Sequence, residues 1–142
     1  MNNLYPLRWV FLWVKLMGWN GLRPSQFTLQ VLRDGSELQR KITAAMLQGV
    51  ILRSPVDTGA FRGNNRVSIG SVDYTKDFQK KDTSGTTTIA DGMAKVLSVQ
   101  LGMRVFISNN LPYAIALENG HSGQAPLGIY SITFQSVTSR YK

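Results

Sequence analysis

SELQRKITAAMLQGVILR, residues 36–53, places its apolar side chains at the spacing of one face of an α-helix. Asp34 and Gly35 just before it and Ser36 at its start are predicted to cap the first turn, where Glu37 suits the helix dipole. The helix is predicted to end near Arg53, because a proline follows at position 55. The apolar residues of this face are Leu38, Ile42, Ala45, Met46, Val50 and Ile51.

Shorter elements are expected on both sides of this helix. A second helix is predicted from Thr83 or Ser84 to about Val99, and a short third one from Pro112 to Leu117. The polar stretch 71–84 is expected to be a long loop. Strands are predicted from alternating patterns at 27–32, 66–70, 103–108 and 129–134. The expected fold is α+β, a small and mostly antiparallel sheet with a long helix and a second helix packed on it.

The chain is expected to form a single α+β domain at residues 25–142, preceded by an aromatic arm at 1–24 that contains Trp9, Trp13 and Trp19. The uninterrupted apolar run 9–14 is far too short to span a bilayer. The arm is interpreted as a segment that docks on a neighbouring subunit. A surface-seeking amphipathic piece and an upstream extension with Met17 as the true start are the alternatives.

Composition limits the chemistry that the 142 residues can perform. The absence of cysteine excludes disulfides, thiolate metal sites and thiol nucleophiles, and one histidine excludes a histidine-rich metal site. The net charge is +8, from 16 basic and 8 acidic residues, and most of the excess lies in residues 1–70. Such an excess suits an acidic protein partner, non-specific proximity to DNA, or simple solubility.

The first motif, SPVDTGAFRGN at residues 54–64, leaves the long helix and turns toward a strand. Pro55 fixes one torsion, Asp57 and Thr58 are suited to bond local amides, and Gly59 permits a positive φ. A charge-assisted pair between Asp57 and Arg62 is a further expectation. We interpret the motif as a rigid turn rather than a catalytic site.

The second motif covers residues 109–126 and is expected to form an exposed, shaped loop that contacts partners. Glu118 is predicted to orient His121 or to pair with Arg62. An acid–base or metal site of Asp57, Glu118 and His121 is the alternative. The residues expected to matter here are Pro112, Tyr113, Glu118, Gly120, His121, Gln124 and Pro126.

These two motifs resemble those of the neck or tail-completion proteins of tailed bacteriophages, also called head–tail joining or minor tail proteins. In that family a Ser/Ala-Pro-Val-Asp-Thr-Gly-x-x-Arg motif, here 54–62, ends a helix. A later Asn-x-x-Pro-Tyr-Ala-x-x-x-Glu-x-Gly-His stretch leads to Gln-Ala-Pro at 124–126. The resemblance covers about residues 25–135. It departs at Asn65, where the family often carries an aromatic residue.

The resemblance implies a structural virion protein, made in the host cytoplasm, that assembles into a ring at the head–tail junction. The implied partners are further copies of the chain and other neck or tail proteins, namely portal, adaptor, stopper, tail terminator or tail tube. No catalytic residue, metal, cofactor or membrane is expected. A basic nucleic-acid-associated protein is the second hypothesis, and a small metal-dependent hydrolase is the third.

Overall fold

The computed structural model describes residue 21 and residues 23–142. The arm tryptophans Trp9, Trp13 and Trp19 lie outside these described residues, so their role stays a prediction. The chain divides into two units, residues 1–31 and 32–142. Each is described by itself below. The division into an arm at 1–24 and a domain at 25–142 also stays a prediction.

The first helix, α1, extends over Pro24–Arg53 and confirms the helix predicted at 36–53. It also corrects the strand predicted at 27–32, which is helical. The helix continues through Asp34, Gly35 and Ser36 without a break, and Pro24 at its first position favours a helix start there. The predicted cap at Ser36 is wrong as well. Its hydroxyl lies within α1 and donates to the carbonyl of Leu32, 2.7 Å away.

The other elements are short and follow in the order helix, strand, helix, strand, helix, helix. They are α2 (Ala60–Gly63), β1 (Arg66–Ile69), α3 (Thr86–Val96), β2 (Val105–Ser108), α4 (Ala114–Glu118) and α5 (Tyr130–Arg140). The chain between β1 and α3 lacks regular structure, as predicted. The strand predicted at 129–134 is wrong, because the segment begins a helix. Ile129 at its N-cap position and Thr133 and Val137 within α5 recur at four-residue spacing and are buried.

The sheet has two antiparallel strands in the described residues, not the four predicted. Arg66 of β1 lies opposite Ser108 of β2, and Ile69 lies opposite Val105. The α+β class is confirmed. None of the helices in the described part of the chain is long and apolar enough to cross a membrane.

Two apolar clusters form the core, and α1 contributes to both of them. In the first, Leu47 and Ile51 of α1 pack with Val67 of β1 and Val96 of α3. The second lies beneath the two motifs and unites Val50, Phe61, Leu111, Ala125 and Ile129. The motifs therefore lie over packed side chains rather than on a detached loop.

Candidate partner-binding site

The turn of the first motif depends on Gly59, which has a φ of 82° and lies just before α2 at its N-cap position. Its carbonyl accepts the amide N–H of Asp82 at 3.0 Å, so the two backbones touch. A Cβ at this position would lie 2.6 Å from the backbone nitrogen of Thr83. The positive φ predicted for Gly59 is confirmed, and the close approach of the loop before α3 is a second reason for glycine.

The guanidinium of Arg62 donates hydrogen bonds to backbone carbonyls rather than to a carboxylate. Its Nη1 donates to Thr83 O at 2.7 Å, and its Nη2 donates to Ser54 O at 3.0 Å and to Leu52 O at 3.4 Å. A guanidinium at the carboxyl end of α1 satisfies carbonyls that the helix leaves unpaired. The predicted pair of Arg62 with Asp57 or with Glu118 is therefore wrong, because these carbonyls occupy the guanidinium.

The short helix of the second motif ends as predicted at Gly120, which has a φ of 83°. The N–H of Gly120 donates to Leu117 O and the N–H of His121 donates to Ala116 O. These two hydrogen bonds form a Schellman motif. The Nδ1–H of His121 also donates to Ala116 O at 2.9 Å. Pro112 lies just before this helix and is exposed, as are Tyr113, Gln124 and Pro126.

Glu118 caps α5 instead of contacting His121. Its Oε2 accepts the N–H groups of Ile129 at 2.9 Å and Tyr130 at 2.8 Å, and its Oε1 accepts that of Ser131 at 2.9 Å. Burial alone would raise the pKa of Glu118, but the three backbone donors outweigh it and lower that pKa. The predicted Glu118–His121 contact is wrong because the carboxylate satisfies the free amides of a helix start.

Gln124 joins the two motifs through a pair of hydrogen bonds. Its Oε1 accepts the N–H of Val56 at 2.9 Å, and its Nε2 donates to Val56 O at 3.1 Å. The side-chain amide thus pairs with both backbone groups of one residue, Val56, as a neighbouring strand would. The second motif predicts a role for Gln124, but its partner lies 68 positions away and local sequence gives no signal of the pairing.

A cleft of about 280 Å³ lies between the motifs. Its lining includes the apolar side chains of Phe61 and Leu117 and the polar or amphipathic side chains of Asp57, Thr58, Tyr113, His121 and Gln124. Burial, and then the charge of Asp57, raise the pKa of the Tyr113 hydroxyl. The rings of Phe61 and Tyr113 are tilted against each other with centroids 6.2 Å apart. Asp57 and Thr58 are exposed and so available to a partner.

Three buried polar residues that support this site were missed from the sequence. Asn65 donates to Ser54 Oγ at 3.1 Å and accepts from the Tyr130 hydroxyl. Asn64 Nδ2 donates to Asp77 O at 2.8 Å and its Oδ1 accepts the Asp77 N–H at 2.8 Å. Asp82 accepts the N–H groups of Gly85 and Thr88 at 2.8 Å each. Only the position of Asp82 just before a predicted helix hinted at such a role.

The described contacts do not bring Asp57, Glu118 and His121 into one catalytic arrangement. Asp57 and His121 line the cleft, whereas Glu118 turns toward the start of α5. In the described part of the chain, no group of three or more acidic or histidine side chains is placed to hold a metal ion. What the arrangement offers is a surface with the exposed side chains of Asp57, Thr58 and Tyr113 above the buried ring of Phe61.

Comparisons with protein-family models, with curated proteins and with solved structures gave no match to this chain.

Proposed function

We propose that this protein is a structural component of the head–tail junction of a tailed bacteriophage, where copies of the chain form a ring that joins or completes the tail. One observation carries the proposal. The two motifs on which the resemblance depends, 54–62 and 109–126, lie side by side at one cleft and are joined by the amide pair of Gln124 and Val56. Distant segments thus form a single surface.

The use of polar side chains at this surface supports an assembly role. Arg62, Glu118 and Gln124 each make their hydrogen bonds to backbone groups of other segments. Such bonds fix the shape of a loop, and a loop held in one conformation loses little entropy when a partner binds. Asp57, Thr58 and Tyr113 are left exposed for contact.

The proposed role is tested by electron microscopy of lysates from a phage in which this gene is disrupted. We expect DNA-filled heads beside separate tails, and joined virions when the intact gene is supplied from a plasmid. Complete virions without the gene would contradict the proposal. Complementation with a Gln124→Ala gene then tests the surface, because the loss of two hydrogen bonds between the motifs should lower the yield of joined particles.

A further inference from the structure

A cleft of about 370 Å³, called the basic cleft below, lies in the unit 32–142 beside the start of β1. Among the described residues that line it, three are basic, namely Arg66 of β1, Lys80 of the loop before α3, and Lys95 of α3. Asp91 is the only acidic residue in the same lining. Three segments that are separate in the sequence therefore bring positive charge to one place.

Arg66 has no anionic partner within the described part of the chain. Its guanidinium forms no salt bridge there, and its buried Nε has no hydrogen-bond acceptor. The backbone around it is fixed, since Asn65 and Val67 on either side are buried. A buried donor without an acceptor is costly, and an anion in the cleft would supply acceptors to this guanidinium.

The two lysines of the cleft share a single carboxylate. Lys80 Nζ lies 3.1 Å from Asp91 Oδ2. Lys95 follows Asp91 by one turn on the same side of α3. One carboxylate cannot neutralise two lysines and an arginine, so the described lining keeps a positive charge.

Asp73 is a further acid near the cleft, and it is hydrogen-bonded within its own loop. Its Oδ1 accepts the N–H of Thr75 at 2.9 Å and the hydroxyl of the same residue at 2.5 Å. These bonds, and then the charges of Arg66 and Lys95, lower the pKa of Asp73. Both bases thus act on this carboxylate from a distance, and neither forms a salt bridge with it.

A phosphate group suits this arrangement better than a carboxylate does. A planar guanidinium donates two parallel N–H groups to two phosphate oxygens, and lysines act as point charges toward the others. A carboxylate has only two oxygens, which Arg66 alone would satisfy. DNA presents phosphates densely, with one negative charge per about 1.7 Å of duplex, and a chain of net charge +8 attracts it. We propose that the basic cleft binds a phosphate of the DNA backbone.

Fluorescence anisotropy of a short labelled DNA duplex, titrated with the full chain at low salt, tests the cleft. The unmodified chain is compared with Arg66→Gln and with the control Arg104→Gln, which removes the same charge. Arg104 is exposed and precedes Val105, which lies opposite Ile69. The control position therefore lies at the other end of the sheet from Arg66.

We expect Arg66→Gln to raise the Kd for the duplex at least about fivefold, because a charged hydrogen bond to a phosphate is lost. The dependence of log Kd on log salt concentration should become shallower by about one, the value for one phosphate contact. Arg104→Gln should raise the Kd less than about twofold and leave this dependence unchanged. Circular dichroism of each variant establishes folding, and Lys95→Gln, at an exposed position of the cleft, replaces Arg66→Gln if that variant unfolds.

Three results would overturn the proposal. Equal losses in Arg66→Gln and Arg104→Gln, or no binding to the duplex, would show that the cleft is not a DNA site. Calorimetric binding of inorganic phosphate that depends on Arg66, without such a dependence for the duplex, would assign the cleft to free phosphate. Tighter binding to polyglutamate than to the duplex, with the same dependence on Arg66, would assign it to an acidic protein.

The inference goes beyond the proposed function and does not rest on it, because its test needs only purified protein and DNA. Absence of duplex binding together with separated heads and tails in the disrupted phage would leave the junction role and remove this contact. Binding that depends on Arg66 together with complete virions would leave the contact and remove the junction role.

Discussion

At position 59 the backbone conformation and the packing each require glycine, for separate reasons. The φ of 82° alone disfavours any side chain, and the neighbouring backbone at Thr83 leaves no room for a Cβ. Gly70 has a similar φ of 87°, but nothing lies within 4 Å of a Cβ built there. Substitution of Gly70 should therefore show only the conformational cost of a side chain at positive φ, whereas substitution of Gly59 should show that cost together with a steric clash.

We expect Gly70→Ala to lower the free energy of unfolding by about 1 kcal/mol, the usual cost of a left-handed alanine. Gly59→Ala should cost at least about 2 kcal/mol more, because backbone atoms must move. Gly59→Val should cost more still and impair folding or particle assembly. Urea unfolding of the three variants measures these differences. Equal losses for the two alanine variants would contradict the steric argument.

Glu118 predicts a pH dependence of stability. Its pKa is lowered in the folded chain, so its contribution is fully present above its unfolded pKa and is lost as pH falls through the folded pKa. Glu118→Gln should cost about 1–3 kcal/mol at pH 7, because buried amides lose a charged acceptor. It should also reduce the loss of stability between neutral pH and pH 3.

Urea unfolding of the unmodified chain, Glu118→Gln and the control variant Glu37→Gln at several pH values measures this pH dependence of stability. Glu37 is an exposed carboxylate paired with Lys41, so its substitution should change the unfolding midpoint little. Part of the acid sensitivity should persist in Glu118→Gln, since Asp82 also has a lowered pKa. An unchanged pH profile would mean that Glu118 does not stabilise α5.

At the scale of elements, α1 organises the unit 32–142. Consecutive residues of this helix meet opposite surroundings, since Ile51 is fully buried and Leu52 is 68% exposed. Ile51 belongs to the cluster that unites α1 with β1 and α3. The helix is therefore an amphipathic element whose stability comes from its packing.

Ile51→Ala should lower the free energy of unfolding by about 2–5 kcal/mol, because it leaves a cavity between α1 and the sheet. Leu52→Ala, its immediate neighbour, should change it by less than about 0.5 kcal/mol. Thermal and urea unfolding followed by circular dichroism give both values. A large loss in Leu52→Ala would show that its face of α1 is covered.

At the scale of the whole molecule, the charge of +8 bears on the nucleic-acid hypothesis. The bases occur singly, apart from Arg40-Lys41 and Lys80-Lys81, and no arginine-rich run concentrates them. We expect binding to duplex DNA to be independent of sequence, with a Kd of about 10⁻⁶ M or weaker at physiological salt, and to weaken steeply as salt rises. Fluorescence anisotropy across a salt series measures this. Nanomolar binding to one sequence would favour a nucleic-acid-binding role over the junction role.

The sequence alone was sufficient for the α+β class, for α1 after residue 36, for the positive φ of Gly59 and for the end of α4 at Gly120. Each depends on local rules of periodicity or backbone sterics. The strands predicted at 27–32 and 129–134 were wrong, because a short alternation of apolar residues is compatible with either a strand or a helix.

Tertiary structure was needed for the partners of the polar side chains. Asp57, Glu118 and Arg62 suggested ion pairs from their charges, yet Glu118 and Arg62 bond backbone groups of other segments. A buried amide N–H or carbonyl needs a hydrogen-bond partner wherever the fold supplies one. The local sequence shows neither which backbone groups become buried nor which side chains reach them. The same holds for Gln124 and Val56, whose pairing depends on how α1 and α4 bring the two motifs together.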